Sequence, residues 1–374
     1  MRVVFLTHSY PRWPGDFFGA ALAALARALV RRGMSVRVVA PGAGAASTAE
    51  LDGVLVHRIP VSARLGRAIW DQDAGDALGW AVLVRLWRVL APASRQAVAD
   101  GVDVVHAQSW VPSGLAAPLG ARLVLTIQGA DAALLKTSKL ARSVARPLFR
   151  RAALVTAVSR QAGEAVQNFA GRFVAAEHIH PMPIDCRSHP WTRGGAGVVL
   201  LAHLDRNGRV ELALETVAIL ASCGHSLPLT IIGDGPDRGA LQQLAQRLGI
   251  SALVQFLGAM PEDQARSHLA RADLMLATTQ GDATGAAVLE ALVTGVPVVA
   301  CWDGGVPVDV VPETGAGRLT LPTAEALAEG VLSLLADRDR LSLARLVGEA
   351  WRARLAPAHV AQLCEGWYRH ALAS

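Results

Sequence analysis

Lysine is nearly missing from this chain. Lys136 and Lys139 are the only two, so almost every basic residue is an arginine. The arginines form no Lys/Arg-rich block, and the net charge of +5 therefore carries no footprint of a nucleic-acid binder. An arginine-rich set suits acidic lipid or a diphosphate equally well. Cys186, Cys223, Cys301 and Cys364 are the only cysteines, scattered without metal-ligand spacing. That excludes a disulfide framework and a zinc site, and predicts a reducing, cytoplasmic setting. No apolar run approaches the ~18 residues of a membrane span. Residues 1–7 enter a strand pattern directly, without the charged start of a signal peptide. No paired carboxylates with metal-ligand spacing follow a strand in either half, so no metal is expected.

What is present is a large apolar share, 52% against 18% charged, over 374 residues. That excludes disorder, allows a large core and suggests two domains. The pattern is strand, loop, helix, repeated. Apolar strands are expected at 2–7, 36–40, 54–59, 102–105, 123–127 and 155–158, with Pro41-Gly42 breaking the second. Ser159 reads as a helix N-cap. His180-Pro-Met-Pro-Ile-Asp and Gly194-Gly-Ala-Gly read as a linker. The rhythm resumes with strands at 198–201, 229–232, 253–256, 274–277 and 297–300. Helices are expected near 209–222, 236–248, 261–271, 285–294 and 323–336. Continuous apolar strands alternating with helices imply parallel sheets covered on both faces. The expected division is 1–187, 188–355 and a C-terminal helical tail at 356–374, centred on Trp351 to His370. Ligands of such sheets bind beyond the carboxyl ends of the strands, so two sheets facing one another make a cleft.

The densest stretch runs from Thr278 to Gly305. Asp282 lies on the loop after a strand, and Glu290 lies eight positions later, one and a half turns into a helix beginning near Gly285. A loop carboxylate and a helix carboxylate can face one ligand at a helix start, where free N–H groups favour an anion. A loop solvator and a surface helix residue give the same spacing. Gly15 and Gly19 form a glycine loop after the first strand. His8, Ser9 and Tyr10 follow that strand, and His106, Gln108, Ser109 and Trp110 follow a later one. These can line an acceptor or be satisfied loop residues. On the helix near 77–92, Trp80, Leu83, Trp87 and Leu90 share a stripe with Arg85 and Arg88 off it, which favours core packing over a lipid-facing role.

The stretch Asp282, seven residues, Glu290, then Ala291-Leu-Val-Thr-Gly-Val-Pro-Val-Val and Gly304-Gly305 resembles the signature of glycosyltransferase family four. Other segments resemble that family's landmarks in order: THSYPRWPGDFFG, VDVVHAQSWVPSG, LVLTIQGAD, LVTAVS, IHPMPID, LTIIGDGP and LVQFLG. The resemblance covers nearly the whole chain. It implies the α/β GT-B fold: two Rossmann-like domains facing a cleft, with a C-terminal helix crossing back to the first. It implies a retaining, metal-independent glycosyltransferase with a UDP- or GDP-sugar as donor and no other cofactor. It implies that Glu290 accepts from ribose hydroxyls and Asp282 lies beside the sugar. The amides of Thr284, Gly285, Ala286 and Ala287 then cradle sugar and diphosphate, and Gln128 and Asp131 contact the sugar from the other domain.

Five positions depart from the family pattern, one of them Pro183 in the linker, where a Gly is usual. His203 and Asn207 stand where an Arg and a Lys usually grip the diphosphate. Gln128 replaces a His, and Asp282 replaces a Glu. No lysine follows Lys139, so Arg206 or Arg209 is expected to supply the cation, one facing the cleft and the other solvent. The altered site and Ala/Arg-heavy composition favour a small specialised-metabolite acceptor over an envelope polymer. A lipid-linked acceptor, with peripheral membrane attachment, also fits. Two rival readings stay open: a degenerate GT-B protein serving as partner or scaffold, and a GT-B phosphorylase or epimerase relative.

Overall fold

The computed structural model describes residues 1–13, 16, 19–70, 79–185, 195–281 and 285–374. The chain divides into two compact units, one of Met1–Asp185 with Ala356–Ser374 and one of Cys186–Leu355.

The first unit contains, in order, β1 (Arg2–Leu6), α1 (Ala20–Arg31), β2 (Ser35–Ala43), β3 (Ser47–Leu51), β4 (Val54–Val61), α2 (Ala63–Trp70), α3 (Trp80–Val98), β5 (Val104–Gln108), β6 (Leu123–Ile127), α4 (Ala130–Thr137), α5 (Lys139–Arg151), β7 (Leu154–Ala157) and α6 (Arg160–Ala170). Its sheet runs β3-β4-β2-β1-β5-β6-β7, parallel except where β3 pairs antiparallel with β4. Alternate side chains fill two separate cores. Val4, Leu6, Val105 and Leu125 pack with residues of α3, α5 and α6. Val3, Phe5, Val38 and Val104 pack with α1 and with the last helix of the chain.

The second unit contains β8 (Val198–Leu201), α7 (Val210–Ser222), β9 (Leu229–Ile232), α8 (Arg238–Arg247), β10 (Val254–Gly258), α9 (Glu262–Leu269), β11 (Leu274–Ala277), α10 (Ala286–Thr294), β12 (Val298–Cys301), α11 (Val306–Thr314), β13 (Arg318–Thr320), α12 (Ala324–Ala336) and α13 (Arg338–Leu355). The sheet order is β10-β9-β8-β11-β12-β13. The final helix, α14 (Pro357–Ala373), belongs to the first unit, where it packs on α1. Both units are Rossmann-like.

The structure departs from the expected elements at definable places. Pro41-Gly42 does not break β2, which continues to Ala43 by pairing with β4 alone. β1 ends at Leu6, opposite Val39, so Pro41 lies beyond the β1 pairing, where a strand tolerates a residue without an N–H. The tail is not one helix over 351–370. Pro357 opens α14 at a position where its missing N–H costs nothing, and α13 stops at Leu355.

Each sheet has a point where the winding reverses. β1 has β2 on one side and β5 on the other, and β8 has β9 and β11. The loops leaving these strands diverge there, which opens a crevice at the carboxyl ends. Residues 7–19 and 109–114 leave β1 and β5, and residues 202–209 and 278–285 leave β8 and β11.

Candidate functional site

In the second unit the loop after β8 is held by its own side chains. The Asp205 carboxylate accepts from the backbone N–H of Asn207 and of Gly208, each at 2.9 Å, and lies 3.2 Å from His203 Nδ1. This turn is tight enough that a Cβ on Gly208 would sit 2.1 Å from the His203 carbonyl oxygen. Arg209 caps α7 with a left-handed backbone, φ 46°. Its Nε donates to the Thr278 carbonyl at 2.8 Å, and its Nη2 lies 2.5 Å from the Asp303 carboxylate. The Gln280 N–H donates to the Asn207 carbonyl at 2.8 Å, and the Thr278 hydroxyl to that of Gly208 at 2.7 Å. The loops after β8, β11 and β12 are thus stitched together at the switch point, with Arg209 at the centre. Arg206 is exposed. Of the two expected cations, Arg209 is the one built into the site.

Gly285, with φ 62°, starts α10, and its missing Cβ leaves room for Val306. The amides of Ala286 and Ala287 lie in the first turn, which has no intrahelical acceptors. Asp282 and Thr284 lie outside the described residues, as does Gly15 in the first unit. Glu290 is not free. Arg266, only 5% exposed, grips it with Nε–Oε2 at 2.7 Å and Nη2–Oε1 at 2.9 Å. The same guanidinium reaches Glu262 and Asp263. Spacing could not reveal Arg266, because it stands 24 positions away on α9. Asp303 lies within the same dense stretch, past the end of β12, and spacing does not reveal that it pairs with Arg209.

In the first unit several expected ligand contacts prove to be internal. Trp110 is fully buried, and its indole N–H donates to the Asp131 carbonyl at 2.7 Å. The Asp131 carboxylate accepts from the backbone N–H of Trp110 and of Gln128, at 2.9 and 3.0 Å. It clasps the loops after β5 and β6 and does not reach outward. Burial still pushes its pKa up to about 6, against those hydrogen bonds. His106 is buried between Tyr368 of α14, at 2.8 Å from Nδ1, and Thr126, at 2.6 Å from Nε2. Gln108 is buried too. Its Nε2 donates to His106 Nε2 at 3.2 Å, and its Oε1 accepts from Gln128 Nε2 at 3.1 Å. With Gln108 so placed, His106 Nε2 accepts and its proton lies on Nδ1 towards Tyr368, while the Gln128 amide donates to Gln108. Among the residues after β1, Tyr10 is buried beneath the Arg58 guanidinium, 5.4 Å from its ring, and burial raises its pKa to about 12. Gly19, φ 81°, admits the Ser9 carbonyl where a Cβ would lie 2.5 Å away. His8 is half-buried, its pKa lowered to about 4 by burial.

Buried His106 makes stability depend on pH. An unfolded histidine takes up a proton near 6.5, whereas burial lowers this one to about 3. The unfolded chain therefore binds more protons between those values, and stability falls as pH drops through that window. Asp131 slopes the other way between 3.8 and about 6, because its folded carboxyl protonates first. The histidine shift is the larger, so the two together lose about 2 kcal/mol on acidification, and His8, lowered to about 4, adds to that loss. His106→Gln is expected to lower the melting temperature at pH 7 but to shrink its fall between pH 7 and pH 5. An unchanged fall in the variant would show that other groups carry the acid sensitivity.

Residues 187–351 match the family model described as glycosyl transferases group 1, and residues 18–185 that of the glycosyl transferase 4-like domain. The chain is a family-four-like GT-B glycosyltransferase. Among relatives of this glycosyltransferase is a GDP-mannose-dependent alpha-(1-6)-phosphatidylinositol monomannoside mannosyltransferase of Mycolicibacterium smegmatis. It is 29% identical over 251 residues, 61% of this chain and 66% of that enzyme, so the match spans just under two thirds of the relative's length. N-acetyl-alpha-D-glucosaminyl L-malate synthase of Bacillus anthracis is 26% identical over 68% of this chain and 70% of its own. Among solved structures, a sucrose-phosphate synthase from Thermosynechococcus elongatus superposes with a TM-score of 0.74 at 17% identity, covering 100% of this chain and 99% of that one. Anabaena HepE in complex with UDP-glucose gives 0.70 at 21% identity, covering 98% and 99%. These likenesses establish the fold.

Proposed function

We propose that this glycosyltransferase is retaining and takes its sugar from a nucleoside-diphosphate donor bound at the β8/β11 switch point. The observation that carries the reading is the tethering of the Arg209 guanidinium to the loops that leave β11 and β12, at the switch point where α10 follows β11. Glu290 accepts from the ribose hydroxyls. The amides of Ala286 and Ala287 at the α10 start, and Arg209, take the diphosphate as charge develops on it; Thr284 and Gly285 are proposed to add their amides, and Asp282 to lie beside the sugar. Fixed dipoles and a tethered cation stabilise such a leaving group without reorganising. Gln128, His8 and Gly19 of the first unit are the residues proposed for the sugar and the acceptor. The nucleotide-bound HepE structures and the GDP-mannose-dependent relative support a nucleotide-sugar donor. A small or lipid-linked acceptor is the proposed partner. The deciding experiment is calorimetric titration of UDP and GDP into the protein. Micromolar binding of one of them supports the reading. Failure of both, and of their sugars, hands the chain to the scaffold reading.

The transfer is proposed to need no divalent metal. Of the two Asp-x-Asp triplets in the sequence, Asp71-Gln72-Asp73 lies outside the described residues, and Asp337-Arg338-Asp339 joins α12 to α13 and does not follow a strand end. Turnover is expected to persist in EDTA. Full loss, restored by magnesium or manganese, would reject the metal-free scheme.

A further inference from the structure

On one face of the first unit, every charged residue of α3 and of α5 is basic, and residues 111–121 carry no charged residue at all. Arg85, Arg88 and Arg95 are exposed on α3, and Lys139, Arg146 and Arg150 on α5. None of these six has an ion pair among the described residues. The nearest acids in sequence at the end of α3, Asp100 and Asp103, are engaged by Arg37 and Arg2. Asp71, Asp73 and Asp76 lie outside the described residues. Unneutralised positive charge on two neighbouring helices repels itself and is held there against that cost.

The same face is also apolar. Between α3, residues 115–119 and α5 runs a groove of about 700 Å³, lined by Trp87, Ala91, Leu115, Leu119, Val144 and Pro147, with Arg95 and Arg151 at its edges. Arg151 is spent on the Ala117 and Pro118 carbonyls and keeps the floor in place. Large side chains stand out of this surface: Val84 is 41% exposed, Trp87 41%, Leu119 89% and Leu140 60%. The Trp87 indole N–H donates to the Leu115 carbonyl, which fixes the ring at the rim with its apolar edge outward.

We propose that this face docks the protein on an anionic lipid bilayer. Guanidinium and ammonium groups meet the headgroup phosphates, while Trp87, Leu119 and Leu140 enter the interfacial layer. Two features choose a bilayer over a nucleic acid or an acidic protein. A polyanion offers nothing to the protruding leucines, whereas an interface accepts aliphatic and indole groups beside cations. The cations also flank the apolar groove on both sides, as a flat charged surface with an apolar interior requires. Each basic residue near such a surface is worth about 1 kcal/mol, or roughly fivefold in partitioning. The surface lies within the first unit alone, and its docking does not depend on the nucleotide-sugar reading.

The test is co-sedimentation of the full-length protein with vesicles, without any donor. Wild type is expected to bind phosphatidylcholine vesicles containing about one third phosphatidylglycerol, and to bind pure phosphatidylcholine at least tenfold more weakly. Binding should weaken as salt rises from about 0.05 to 0.5 M. Arg85→Glu with Arg146→Glu should lose about tenfold or more. Trp87→Ala with Leu119→Ser should lose several-fold while keeping the salt dependence. All four positions are exposed, and an unchanged melting temperature certifies the fold of each variant. Absence of wild-type binding overturns the proposal, as does equal binding by the charge-reversed variant. An apolar variant that binds as wild type, or retention on heparin without binding to vesicles, would reassign the face to a soluble polyanion.

Discussion

Glu290→Ala is expected to remove nucleotide binding and to destabilise the second unit in one step. The two effects have separate causes. If the carboxylate accepts two ribose hydroxyls, its loss removes charge-assisted hydrogen bonds, about 3–6 kcal/mol of binding. That alone takes a micromolar ligand beyond detection. The structure adds the second effect. Arg266 is buried and grips both Glu290 oxygens. Truncating one partner of a buried pair leaves a desolvated charge, typically at 3–5 kcal/mol. Here Glu262 and Asp263 still reach the guanidinium, so a smaller loss is expected, about 1–3 kcal/mol. Glu290→Gln separates the causes. Its amide oxygen still accepts from Arg266, so stability should largely return, while the charged acceptor for ribose stays lost. Nucleotide affinity and melting temperature are read on both variants. If either variant binds UDP and GDP as wild type does, Glu290 does not hold ribose. If Glu290→Gln recovers affinity along with stability, the residue acts through the fold and not through contact with the ligand.

The pair shows where a one-dimensional reading stops. Helix α10 and its glycine start follow from local patterning, because Gly285 and Gly295 bracket an apolar run. Buried parallel strands are equally visible, since β6, β8, β9 and β11 are continuous apolar segments that no other element explains. β3 is not visible. All five of its residues are exposed, so it carries no alternation, and only its pairing with β4 makes it a strand. β13 has three residues, too few for a period. α11 contains two prolines, which hide it from a local reading: Pro307 sits in the first turn, where it has no bond to lose, while Pro312 lies inside the helix two residues before its end. Site residues divide the same way. Glu290 is found by its distance from a strand end, but its partner Arg266 comes from another helix. His106 lies within β5, which runs on past the expected end at 105, and Trp110 lies just beyond it; nothing local tells that α14 and Asp131 close over them. Long-range pairing decided each of these cases, and spacing along one strand of sequence does not encode it.

Arg209→Ala is expected to cost about 2–4 kcal/mol of transition-state stabilisation, and Arg206→Ala almost nothing. A departing diphosphate carries two to three negative charges, and a helix start offers about half a positive one. With no lysine in the second unit, a guanidinium must supply the remainder. Arg206 is exposed, so solvent screens it. Arg209 is tethered by the Thr278 carbonyl and the Asp303 carboxylate, and its Nη1 is left to donate. Asp303 also offsets part of its charge, which gives the experiment its second arm. If Arg209 acts on phosphate, Asp303→Asn leaves the guanidinium tethered through Thr278 but less neutralised, and diphosphate should bind as tightly or more so. If Arg209 only ties the three loops together, Asp303→Asn should fall with Arg209→Ala. Arg209→Lys adds a third reading, because a lysine keeps the charge but cannot span both partners. Equal activity of Arg209→Ala and wild type would remove the guanidinium from the mechanism. A loss confined to kcat, with donor affinity kept, would place its action on the charge that develops during transfer, since an interaction made only in the transition state lowers kcat without weakening ground-state binding.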